Sequence, residues 1–341
     1  MKYLITGGSG YCGTEIGHYL LQKGADVRIL DLEPPSGLPS EIEFMEGDIR
    51  DRKVVERACQ GIDKVIHAAA KVPISKAGKA FYDVNVSGTR NILEASFKSR
   101  VNKVVYLSSS SVQFGNPSPV DEDAPYGTIA DYSKSKVEAE HVCKKYVRRG
   151  LPVDIIRPRT VVGIGRLGLF DILFDWIAEG RKIYIIGDGH NKIQFLHVQD
   201  LASCCFLSSR AAGSNIFNIG SKTFATLKED LQALIDSAQT KSKIVCLPVK
   251  LTIECLRALD FLRLSPLAPW HYETYHQDFY FTNERAKKNL SWQPQYGNTE
   301  TLKMAYFDYL RARKQGELTR FGTTHRKRLK QKVLNLLKLI S

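Results

Sequence analysis

Met1 to Leu20 reads MKYLITGGSGYCGTEIGHYL: an apolar strand (Tyr3, Leu4, Ile5) runs into glycines spaced by two residues and on into a helix marked by Ile16, Tyr19 and Leu20. In the spacing Thr6-Gly7-x-x-Gly10-x-x-Gly13 the first glycine allows a sharp turn and the second lets backbone approach a pyrophosphate. The third lets helix and strand pack closely. The helix start adds free N–H groups and a positive dipole end. Gly7, Gly10, Tyr11, Cys12 and Gly13 therefore read as a dinucleotide cradle, with an ordinary glycine-rich turn as the competing reading. The second strand, Asp26 to Leu30, ends at Asp31. An acid at that distance from the loop accepts the ribose hydroxyls of NAD and repels the 2′-phosphate of NADP, and Leu32 leaves no arginine beside it. The expected cofactor is NAD.

The remaining organisation follows outward from this unit. The chain has 341 residues, 43% of them hydrophobic, enough for one composite domain or two closely joined ones. Met1-Lys2 leads directly into the first strand, so a cytoplasmic protein without a secretory leader is expected. Seven cysteines occur, an odd number with no C-x-x-C spacing, which points to buried thiols and to no metal site. The net charge is +13, but Arg311 to Ser341 holds ten Lys/Arg against Glu317, leaving only +4 for residues 1–310. The basic character belongs to a tail, and a nucleic-acid-binding body is not indicated.

Strand patterns at Asp26–Asp31, Ile42–Met45, Lys64–Ala70, Lys103–Ser108 and Val153–Ile156 alternate with helical patterns at Lys53–Cys59, Val84–Phe97 and Ser133–Tyr146. This alternation predicts an α/β fold, a Rossmann-type doubly wound parallel sheet over residues 1–158. Later strands, from about 183 to 220 and including Ile216–Ile219, are expected to complete the sheet. Residues 159–310 form a smaller mixed substrate lobe and 311–341 a basic amphipathic tail. Asp48, in Gly47-Asp48-Ile49-Arg50-Asp51, either accepts from an adenine amino group or caps the next helix. Ala68 and Ala69 let a cofactor lie against the fourth strand, and His67 reads as a satisfied core histidine.

Two stretches carry the chemistry. Tyr132 and Lys136 are four apart, on one helical face, behind a capping-box pattern at Thr128–Asp131. A neighbouring ammonium and a positive nicotinamide both favour the phenolate, so Tyr132 suits proton exchange with a substrate hydroxyl. Ser108, Ser109, Ser110 and Ser111 follow the strand Val104–Leu107, at the edge where open parallel sheets bind ligands. One of these hydroxyls can orient the substrate oxygen; a plain serine-rich turn is the alternative.

Together these motifs resemble the extended short-chain dehydrogenase/reductases, which include nucleotide-sugar epimerases and dehydratases and 3β-hydroxysteroid dehydrogenases. The resemblance spans residues 1–310 and rests on TGGSGYCG (6–13), Asp31, GDIRD (47–51), NVSGTRNILEA (85–95), YLSSSSVQFG (106–115), YSKSK (132–136), RPRTVVGIG (157–165), FLHVQDLA (195–202) and LSWQPQY (290–296). It implies a catalytic Tyr132, Lys136 and Ser110. Lys136 would also hold the nicotinamide ribose, Asn85 would support the cofactor side, and Ile49 and Pro158 would line the cofactor site. It further implies a homodimer pairing through the helices at 84–97 and 133–146.

Substrate class turns on the lobe. Nucleotide-sugar members of the family place an arginine before the strand matching FLHV to grip a diphosphate, and Ile193 stands there, with Lys192 or Arg166 able to compensate. GDGHN and FYFTNERAKKNLSWQPQY (279–296) look more like the hydroxysteroid dehydrogenase branch. Leu167, Leu169, Phe170, Ile172, Leu173, Phe174 and Trp176 either line an apolar substrate pocket or form the lobe's own core. Charges at Lys250, Glu254, Arg257, Asp260 and Arg263 interrupt Leu247–Trp270 too often for a membrane span. In the tail, Leu329, Val333, Leu336, Leu337 and Ile340 form one stripe among basic residues, which suits peripheral contact with an anionic membrane. The expectation is thus an NAD-dependent oxidoreductase of a secondary alcohol or ketone on an apolar, sterol- or lipid-like small molecule. A nucleotide-sugar epimerase or dehydratase is the alternative, and a noncatalytic NAD-binding scaffold the third reading.

Overall fold

The computed structural model describes residues 1–35, 37–72, 78–163, 165, 169–262 and 269–317. Its strands are β1 (Lys2–Thr6), β2 (Asp26–Asp31), β3 (Ile42–Glu46), β4 (Lys64–His67), β5 (Lys103–Leu107), β6 (Val153–Pro158), β7 (Thr160–Val162), β8 (Ile183–Ile186), β9 (Phe195–His197), β10 (Ile216–Ile219) and β11 (Ile244–Leu247). Its α-helices are α1 (Tyr11–Gln22), α2 (Arg52–Ala58), α3 (Ala80–Tyr82), α4 (Thr89–Lys98), α5 (Asp131–Arg148), α6 (Leu169–Ala178), α7 (Val198–Arg210), α8 (Leu227–Ala238), α9 (Val249–Phe261), α10 (Pro269–Thr274), α11 (Glu284–Leu290) and α12 (Asn298–Lys314).

Seven strands form one sheet in the order β10-β6-β5-β4-β1-β2-β3, parallel at each pairing. Parallel strands covered on both faces are apolar at successive positions, which is why these runs lack alternation. Tyr3, Ile5, Ile66, Val105 and Ile156 pack under α1 and α7. Their neighbours Leu4, Val65, Val104, Tyr106 and Ile155 pack under α2, α4 and α5. Strand order reverses between β1 and β4, so the crevice for a ligand opens where the glycine loop leaves β1.

Among the described residues, β10 alone of the later strands joins the main sheet. β8 pairs with β11 and β7 with β9 in separate two-stranded sheets, so the expectation that the 183–220 region as a whole extends the main sheet is corrected. The physical reason lies in β8, whose alternating burial gives it one covered face only. The buried pair Lys103 Nζ to Asp154 Oδ1, 2.8 Å, helps hold the β10 edge, since the same carboxylate accepts from Asn215 N at 2.8 Å. Phe170, Ile172, Phe174 and Trp176 belong to the lobe's own core with α8 and α12, the core reading of that apolar run. Leu167 and the stripe Leu329–Ile340 lie outside the described residues. α12 continues to Lys314, across the expected boundary at 310. Among the described residues no helix is long and apolar enough to cross a membrane.

Candidate active site

The glycine loop is built as its spacing requires. Gly7 has φ +72°, and a Cβ there would lie 2.6 Å from the Ala69 backbone, so the loop presses against the end of β4. A Cβ on Gly13 would lie 2.1 Å from the Gly7 carbonyl oxygen. Gly10 caps α1 with no side-chain partner, which leaves the N–H groups of the first turn for a ligand. Asp31 Oδ2 accepts from Ser9 N at 2.9 Å and Oδ1 from Leu32 N at 2.7 Å. Burial raises the Asp31 pKa despite these two donors, and a carboxylate oxygen so placed still has lone pairs for ribose hydroxyls. These residues fit NAD.

Around this loop the carboxyl ends of β3 and β4 bring the other expected cofactor residues. Asp48 is clamped by its neighbour, Arg50 Nη2 lying 2.5 Å from Oδ2, and this hydrogen bond lowers its pKa. The cap of α2 is Asp51, which accepts from Lys53 N and Val54 N, so the capping alternative falls to that residue and leaves Asp48 free of it. Ile49 is buried, and its carbonyl accepts from Asn91 Nδ2 at 3.0 Å. Ala68 and Ala69 are half-buried at the crevice. His67 is a satisfied core residue between Thr6 (2.6 Å) and Thr89 (2.9 Å), and burial lowers its pKa to about 3.

Asn85 sits in a π-helical turn, Asp83–Gly88, that leads into α4; such turns recur at functional sites. Its side chain accepts from Lys71 N at 2.8 Å and donates to Lys71 O at 3.1 Å and to Ser135 Oγ at 3.0 Å. Ser135 in turn donates to the Tyr132 carbonyl at 2.7 Å. One buried amide thus ties the cofactor-side loop to the first turn of α5. That helix is capped at Ala130, not at the Thr128 expected of a full capping box. Ser133 Oγ accepts from Ala130 N at 3.2 Å, which supplies the returning half of the box alone, because an alanine has no acceptor.

Lys136 is buried on the same face of α5 as Tyr132. Its Nζ donates to Leu107 O at 2.7 Å and to Tyr106 Oη at 3.2 Å, and it stands 4.7 Å over the Tyr106 ring. Neither acceptor is a carboxylate, and burial lowers the lysine pKa to about 8. Tyr132 is pushed up to about 12 by burial, with the Ser109 hydrogen bond acting the other way. In this structure the ammonium turns toward the end of β5, and burial outweighs the effects that lower the phenol's pKa.

The four serines divide. Ser108 Oγ donates to Glu140 Oε1 at 2.5 Å. Ser109 lies beside the Tyr132 phenol, whose pKa it lowers. Ser110 Oγ accepts from Arg159 Nη1 at 3.1 Å, and the Ser111 hydroxyl has no partner among the described residues. Ser109 is the serine beside Tyr132, while Ser110, expected to orient the substrate oxygen, meets Arg159. Ser109 has extended backbone and caps the 3-10 turn Ser110–Val112, which rotates Ser110 toward β6. Below them, Glu140 receives Arg157 Nη2 at 2.7 Å and Nε at 2.9 Å, together with the Tyr126 hydroxyl at 2.8 Å. Burial raises the Glu140 pKa, but Arg157, Ser108 and Tyr126 outweigh it and keep the group below its ordinary value.

Sequence reasoning missed Arg159 as well as Ser109. Arg159 follows Pro158 at the end of β6, is 5% exposed, and stacks 4.0 Å over Phe279. Its Nε has no partner and burial lowers its pKa to about 9. The signal was an arginine directly after a strand end in an otherwise apolar environment.

Comparison with known proteins adds three findings. The profile of the NAD dependent epimerase/dehydratase family matches residues 3–220. An uncharacterized protein, y4nG, from Sinorhizobium fredii is 40% identical over 98% of this chain and 85% of its own length, and a 3 beta-hydroxysteroid dehydrogenase/Delta 5-->4-isomerase from Mycobacterium tuberculosis is 27% identical over 88% of each. The fold is similar to that of UDP-glucose 4-epimerase from Thermotoga maritima, with TM-score 0.77, 22% identity and coverage of 92% of this chain and 99% of the other.

Proposed function

Since the chain belongs to the NAD dependent epimerase/dehydratase family and is an NAD-dependent enzyme, we propose that it interconverts a secondary alcohol and a ketone on a largely apolar small molecule. The observation that carries this reading is Tyr132 with Ser109 beside a buried Lys136 that, among the described residues, forms no ion pair with a carboxylate. NAD, when bound, supplies the acceptor or donor of hydride. In oxidation the substrate hydroxyl gives its proton to Tyr132 Oη; in reduction the phenol returns it. Ser110 and Ser109 hold the oxygen, and Lys136 supplies positive charge that favours the phenolate once the crevice is filled.

The apolar body is supported at Ile193, which is buried, bridges Phe279 and has its carbonyl held by Asn298 Nδ2 at 2.7 Å. No diphosphate can pair with that side chain. The resemblance of the sequence to the 3 beta-hydroxysteroid dehydrogenase points the same way. A cytoplasmic homodimer through α4 and α5, with the basic tail at a membrane surface, completes the reading. Mass spectrometry of small molecules released by denaturing the purified protein tests it. An exchangeable cofactor with a co-purifying apolar compound agrees with the proposal; tightly held NAD with a nucleotide-sugar contradicts it.

A further inference from the structure

Leu107 of β5 pairs with Ile156 of β6, and Ser110 and Arg159 each stand three residues past that pair, beyond the ends of two adjacent strands. Arg159 spends one donor on Ser110 and none from Nε, and among the described residues no carboxylate pairs with it. Arg157, two residues earlier and within β6, is the structural counterexample: Glu140 takes it with two hydrogen bonds. A buried guanidinium left without an anion costs stability, and such costs persist where a ligand completes the site.

We propose that Arg159 is a substrate-binding residue that takes a carboxylate carried one or two bonds from the reacting carbinol carbon. The inference rests on the reading that Ser110 holds the reacting oxygen. Two hydrogen bonds of about 3 Å meeting at one hydroxyl put the guanidinium about 5 Å from that oxygen, a span that a 2- or 3-hydroxy acid or a uronate bridges. The planar fork matches a carboxylate in two-point contact. Phe279 and Phe281 wall the group, with centroids 4.0 and 5.8 Å away, so the charge on offer is a single one. It balances a carboxylate and falls short of a phosphate monoester at about −2. The carboxylate belongs either to an apolar hydroxy acid or to a nucleotide-linked uronate.

The test is calorimetric binding to the full chain loaded with NADH, using matched pairs: 3-oxooctanoate against 3-oxooctanamide, and UDP-glucuronate against UDP-glucose. The acid of one pair should bind on the order of 100-fold tighter than its neutral partner, and which pair does so identifies the source. Arg159→Met should erase that preference while its melting temperature equals or exceeds wild type, and Arg159→Lys should keep part of it. Wild type binding the neutral member as tightly in both pairs overturns the proposal without any variant. So does an acid preference that survives Arg159→Met. Tyr132→Phe separates this from the proton-donor reading: turnover that survives it, with the acid preference still set by Arg159, removes the acid/base role of Tyr132 alone.

Discussion

Replacing Glu140 by Leu strands the Arg157 guanidinium, which is 2% exposed, and removes the acceptor of the Ser108 and Tyr126 hydroxyls. Breaking one side of a buried ion pair costs about 3–5 kcal/mol, because the remaining charge has no solvent. In Glu140→Leu/Arg157→Met the stranded charge is gone. What remains is the loss of the two hydroxyl bonds, about 1 kcal/mol each, so the double variant should be more stable than Glu140→Leu by at least about 1 kcal/mol. Urea unfolding followed by tryptophan fluorescence, with the four proteins run in parallel, gives the coupling energy. The Glu140→Leu variant should also turn over more slowly while binding NAD normally, since Ser108 adjoins the Ser109 that contacts Tyr132. Costs that simply add in the double variant would refute the claim that Glu140 and Arg157 form one unit.

Gly13→Ala should abolish NAD binding and lower the melting temperature, because the added Cβ would sit 2.1 Å from the Gly7 carbonyl oxygen; cofactor titration and a melt check both. Asp31→Ala should weaken NAD and narrow its preference over NADP by roughly tenfold or more, measured as the ratio of the two dissociation constants. His67 is held neutral, with its pKa lowered to about 3, so the unfolded chain takes up the proton first. Its contribution is whole above about pH 6.5 and is lost as pH falls toward 3, by up to about 1.4 kcal/mol per unit. Asp200, raised to about 6 by burial, acts in the opposite sense, so the quantity to measure is the difference in stability between wild type and His67→Gln from pH 7 to 4. That difference should shift toward the variant as pH falls.

The sheet was legible because parallel strands buried on both faces write continuous apolar runs, and the glycine spacing has few physical uses. Tyr132 and Lys136 were legible as a helical pair. The direction of a side chain past a strand end was not. Ser109 and Ser110 meet different partners because a 3-10 turn begins between them, and four identical residues give no signal of where it starts. Lys136 turns to the Leu107 carbonyl through a contact across 29 residues. Arg159 reads in sequence like Arg157, and only the fold shows that one has a carboxylate and the other, among the described residues, has none. β8 looked like a sheet strand because four apolar residues carry no address for their partner.

Deuterium transfer puts the proposed redox chemistry to its sharpest test. The protein is given NADH labelled with deuterium on C4 of the nicotinamide and a pool of small ketones and cell metabolites, and mass spectrometry searches for alcohols that gain the label. Wild type should label a secondary alcohol, and Tyr132→Phe should bind NADH with unchanged affinity and label none. Equal labelling by Tyr132→Phe would contradict the role of Tyr132 as the proton donor.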